Sequence, residues 1–155
     1  MKKIIGMLII TLTALAAQSF AQSRPGSVKI YLVALNDNGK NGRKIGCDDS
    51  IIAVTRQINS AGTPLKSAIA ELLAIPREYN QKLGNYWGNN NLEIKSIVIS
   101  KGIATIRLSG DGLSVAGICD EPRIISQIEA TAKQFPAVKK VRVFVNGISL
   151  AEVIN

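Results

Sequence analysis

The chain has 155 residues, two cysteines, no histidine and a formal charge of +8 at pH 7. That length suits one ordinary domain, and the lack of histidine excludes a Ser-His-Asp triad, a Cys-His pair and any histidine-bearing metal site. The basic balance points to anionic partners or to a plain solubilising surface.

In chain order, Lys2 and Lys3 come first, then an apolar run from Ile4 to Ala17, then Ser19-Phe20-Ala21. This is the layout of a signal peptide over residues 1–21 with cleavage after Ala21, because the apolar run is shorter than the ~20 residues a membrane span needs. No cysteine follows the cleavage point, so no lipid anchor is expected. Loss of Lys2 and Lys3 takes the formal charge from +8 to +6. Residues 22–27 read as a short linker and 28–155 as a single domain, exported to the periplasm or beyond and not membrane-spanning after cleavage. In that compartment a basic chain meets anionic envelope polymers and acidic protein faces rather than nucleic acid.

Val28 to Leu35 (VKIYLVAL) is rich in β-branched and aromatic residues on both faces, which predicts a central strand, and Ile51 to Ile58 predicts a second. Thr63 and Pro64 then open a helix whose Leu65, Ala68, Ile69, Leu72 and Leu73 form one stripe up to Pro76. Arg77 to Asn91 has neither periodicity and is dense in Asn and Gly, so it reads as a surface loop, with or without a short helical turn. Leu92–Ser100 and Ile103–Leu108 flank Lys101-Gly102 as a hairpin. Asp120 is the expected cap of a second helix, with Ile124, Ile125, Ile128, Ala132 and Phe135 on one side. From Val138 to Val145 the pattern alternates, Val141, Val143 and Val145 on one face and Lys140 and Arg142 on the other; after Asn146-Gly147, Ile148 to Ile154 is expected to add a short last strand. The order β-β-α-β-β-α-β predicts an α+β fold, a two-layer sandwich of a mostly antiparallel sheet with two helices on one face.

Three stretches, VKIYLVAL, KSIVISKGIATIRLSG and ISQIEATAKQFPAVKKVRVFVNGISL, together resemble a GerMN domain, the module of sporulation and spore germination proteins. The resemblance runs from about Val28 to Leu150 and is most specific from Gln134 to Gly147. It implies an α+β fold and a non-catalytic extracytoplasmic module that helps complexes assemble at the cell envelope. The chain differs from the sporulation proteins in carrying a plain cleavable signal, one copy of the domain and a pair of cysteines.

Cys47 and Cys119 are expected to form a disulfide in an oxidising compartment. That bond would bring Asp48 and Asp49 near Asp120 and Glu121, a candidate cation site; the competing explanation is that Asp120 caps the second helix and Glu121 meets its dipole. A hydrolase using the same carboxylates is the alternative enzyme reading. No catalytic residue, cofactor or resident metal is assigned. Asp37, Asn41, Gly42 and Asp48 have calcium-loop spacing, but Gly39 lacks an oxygen ligand and Lys40 and Arg43 oppose a cation. For binding, two surfaces stand out. Tyr86 and Trp87 lie in the Asn-rich loop, where they either serve a small ligand or wall polymer or, for Trp87, tuck under the loop itself. Lys139, Lys140 and Arg142 form a basic cluster that is either a docking patch for an envelope protein or anionic polymer, or a solvated strand face.

Overall fold

Local turn and cap chemistry sets most element boundaries in this computed structural model, which describes residues 26–58 and 62–154. The signal-peptide expectation, on residues 1–21, lies outside the described residues. The first strand is β1 (Gly26–Ala34), followed by β2 (Arg43–Lys44), a 3-10 turn (Gly46–Asp48) and β3 (Ser50–Ile58). Helix α1 (Pro64–Ala74) leads to the short β4 (Glu78–Tyr79) and β5 (Leu83–Gly84), then to the β6 (Glu93–Ser100) and β7 (Ile103–Ser109) hairpin. Helix α2 (Asp120–Lys133), β8 (Lys140–Val145), β9 (Ile148–Ser149) and α3 (Leu150–Ile154) complete the chain.

The long elements follow the expected β-β-α-β-β-α-β order, and the class is α+β. The strands divide, however, into two sheets rather than one, ordered β2-β3-β1-β5-β4 and β6-β7-β8-β9. All pairings are antiparallel except β7 with β8, which run parallel across the α2 crossover. The division has a visible cause. Along the edge of β1, where a further strand would lie, α2 supplies side chains instead. Gln134 accepts from Lys29 N at 3.0 Å and donates to Lys29 O at 2.6 Å; Thr131 Oγ1 accepts from Tyr31 N at 3.2 Å; Gln127 donates to Tyr31 O at 3.0 Å. Spaced by three or four residues, these three polar side chains imitate a strand partner, so β1 needs none there.

Thr63 caps α1, accepting from Lys66 N at 3.3 Å, with Pro64 at the first helical position. At its other end Asn85, fully buried, donates to Leu72 O at 2.7 Å and to Ile75 O at 2.8 Å, satisfying carbonyls that a helix leaves open. Chain Arg77–Asn91 is therefore no free loop: it carries the β4–β5 hairpin and folds back under α1. Gly88 is needed where it passes, since a Cβ would sit 2.3 Å from Ile75 O. One core links both sheets through the helices, joining Ile30 and Leu32 of β1, Ile69 and Leu72 of α1, Ile124 and Ile128 of α2, and Ala104 and Ile106 of β7. The last expected strand is mostly helical: β9 holds two residues before α3 begins at Leu150.

Candidate functional site

The disulfide forms as expected, and beside it Asp49 and Asp120, two of the four expected carboxylates, meet on one cation. Cys47 and Cys119 are bonded, their Cα atoms 5.8 Å apart, tying the turn before β3 to the start of α2. Asp49 is almost fully buried and receives Arg123 Nε at 2.6 Å and Asn36 N at 2.9 Å. Asp120 receives Arg123 Nη1 at 3.2 Å and Ala116 N at 2.9 Å. The Arg123 guanidinium also lies 5.1 Å from the Tyr86 ring centroid, and Arg77 covers the same ring at 4.0 Å. Burial works against the charge of Arg123, but the hydrogen bond it donates to Asp49, with Tyr86 and Asp120 beside it, keeps its pKa above the ordinary arginine value.

Three sequence expectations change at this corner. Asp120 does not cap α2: Cys119 holds the cap position without a side-chain bond, and Asp120 turns back to the preceding loop and to Arg123. The four carboxylates do not converge as a cation site. Asp49 and Asp120 are neutralised by Arg123, while Asp48 points outward to Lys44 at 2.9 Å, and among the described residues no group of three or more candidate ligands is placed to hold a metal. The same pairing takes Asp49 and Asp120 out of play as a free acid or base for the hydrolase alternative. The Asp37 turn is closed internally as well: Asp37 accepts from Asn41 N at 2.9 Å, and Asn41 Nδ2 donates to its other oxygen. That backbone bond, with Ser50, the Asn41 amide and Lys40, holds its carboxyl below the ordinary carboxylate value despite an opposing desolvation.

Trp87 is not a surface anchor. Only 1% of it is exposed, and its Nε1 donates to Ile124 O at 2.9 Å, so the indole already has both the burial and the partner a docking residue would seek. Tyr86, 6% exposed, is equally enclosed, under the two arginines. Trp87 thus offers no ligand surface in this conformation, while Tyr86 reaches the wall of a shallow cavity shared with Arg77, Glu78 and Leu83.

The basic cluster is where the alternation placed it. Lys139, Lys140 and Arg142 are exposed, and among the described residues none has an ion-pair partner. On the same outer face of the second sheet, Arg107 stacks on Phe144 with its guanidinium carbon 4.8 Å from the ring centroid, and Val98 stands exposed. Behind β8 lies a feature that sequence reading missed: a groove of about 340 Å³ between α2, β8 and α3, lined mainly by apolar side chains such as Ile125, Val141, Leu150 and Ile154, with Glu121 and Glu129 on the α2 wall.

With this geometry established, comparison with known proteins places the chain. Residues 29–151 match the family model named Germane, described as sporulation and spore germination. The chain belongs to that family. A search of curated proteins by sequence found no significant match. Among solved structures, the first GerMN domain of the sporulation protein GerM from Bacillus subtilis is similar at a TM-score of 0.60 and 19% identity, covering 83% of this chain and 88% of that one. The tandem GerMN domains of the same protein match at 0.60 and 21% over 87% of this chain, which spans 43% of the tandem. A lipoprotein candidate from Clostridium perfringens matches at 0.50 and 18%, covering 80% and 76%. At these identities the likeness is one of fold, and this Germane chain has the α+β arrangement of the GerMN domain. No helix among its described residues is long and apolar enough to cross a membrane.

Proposed function

We propose that this Germane chain is a non-catalytic extracytoplasmic module that docks onto another component of the cell envelope, after removal of residues 1–21 on export. One observation carries the reading: the outer face of the second sheet presents Lys140 and Arg142, with exposed Lys139 just before the strand, none of them ion-paired among the described residues and all beside exposed apolar surface, whereas the buried acidic and basic groups at the disulfide corner are matched to one another. A protein that pairs its buried charges and leaves a cationic face open beside apolar surface is suited to meet an anionic partner. Membership of a sporulation and germination family, and the fold shared with a GerM domain and a lipoprotein candidate, support a place at the envelope.

Capture of partners from envelope fractions tests this. Wild-type protein is expected to retain a specific component, and the Lys140→Glu, Arg142→Glu double variant to lose it with an unchanged melting temperature. Retention of the same component by the variant overturns the assignment of this face.

A further inference from the structure

The groove behind β8 runs along the edge of a strand. Val141, Arg142, Val143 and Phe144 all line it, four consecutive residues of one strand. Neighbouring side chains on a strand point to opposite faces, so a cavity on one face would touch only alternate residues; contact with all four places the groove beside the backbone. The pairing agrees. Strand β9 is opposite only Phe144 and Val145 before the chain turns off into α3, and among the described residues no strand lies beside Lys140–Val143 on that side. Strand pairing thus stops at Phe144, and beside Val141–Val143 lies an apolar trough walled by α2 and by α3, which packs against β8.

We propose that this edge accepts an added β-strand from an envelope partner, supplied by an extended segment in which apolar residues alternate with acidic ones. The proposal rests on the docking reading above and names its occupant. A strand laid beside β8 makes main-chain hydrogen bonds to it, and its side chains alternate between the two faces. Those on the inner face, level with Val141 and Val143, enter the trough against Ile125 and Ile154. Those on the outer face, level with Lys140 and Arg142, meet two cations that have no partner among the described residues. Apolar side chains inward and carboxylates outward satisfy both walls at once. Basic residues outward would face like charge, and acidic residues inward would face Glu121 and Glu129.

The test uses the intact exported protein and a synthetic eight-residue peptide alternating valine with glutamate, with a valine–lysine counterpart as control. The glutamate peptide is expected to bind and the lysine peptide not. N-methylation of a single edge-facing amide, which removes one donor without touching the protein, is expected to weaken binding about tenfold. Ala151→Trp, which fills the groove from α3, is expected to abolish binding, while Arg142→Glu weakens the glutamate peptide and admits the lysine one. Binding that survives both N-methylation and Ala151→Trp overturns the strand-addition site, as does failure of the glutamate peptide to bind at all. If the protein instead forms a dimer that Ala151→Trp disperses, the occupant is a second copy and the acidic partner is wrong. Should partner capture depend on Lys140 and Arg142 but not on the groove, the docking reading survives and this inference falls.

Discussion

The two sides of α2 handle charge in opposite ways. At its start, Arg123 lies 16% exposed between two buried carboxylates, every group matched within the chain. Along its far flank, β8 presents Lys140 and Arg142 to solvent beside an apolar trough, with nothing in the described residues to match them. Acidic residues clustered near a disulfide attract attention in a sequence, yet here they are the structural part. The region left unfinished is the one suited to a partner.

The widest separation between the two regions is in stability. Arg123→Ala leaves Asp49 buried without its cation and is expected to cost about 3 to 5 kcal/mol in denaturant unfolding. Next comes the bond beside it: the Cys47→Ser, Cys119→Ser pair opens a loop of sequence separation 72 and should lower stability by about 2 to 4 kcal/mol, read as a drop in melting temperature that wild type reproduces under reducing agent. Arg142→Ala, an arginine of the other kind, should stay within about 0.5 kcal/mol of wild type. A large loss there would mean that the β8 face is structural too, and the contrast would collapse. The smallest effect concerns Asp37. Its carboxyl titrates below the ordinary value, so the stability it adds is present above that value and is lost as pH falls through its folded pKa. Acid unfolding of Asp37→Asn should show a shallower decline over that range, whereas an identical profile would place the bond to Asn41 among those of no consequence.

What was legible in the sequence was what neighbours decide. Thr63-Pro64 starts α1, Lys101-Gly102 turns the hairpin with φ of 48° and 77°, and the alternation through Arg142 divides β8 between core and solvent. The disulfide was legible from compartment and count. The rest depends on partners far along the chain. Trp87 sits among asparagines and glycines that signal a loop, but Asn85 anchors that loop to the end of α1 and the indole turns inward. Arg123 lies three residues after Asp120, a spacing that brings side chains together on a helix, so the cation of the acidic cluster could have been found. Gln127 and Thr131 also left a trace, since they share a helical stripe with Ile124 and Ile128 and so occupy core positions. The groove left none, because it depends on where β9 stops.

The strand-like row on α2 has a consequence for synthesis. β1 is the first strand among the described residues, and its amide and carbonyl at Lys29 wait for Gln134, 105 residues later in the chain. Folding therefore cannot advance steadily as the chain is made, since this early strand remains half-satisfied until α2 and Gln134 have followed. A nascent chain stalled before α2 would present that strand's open edge to its surroundings, and a product truncated there would lose its beginning along with its end.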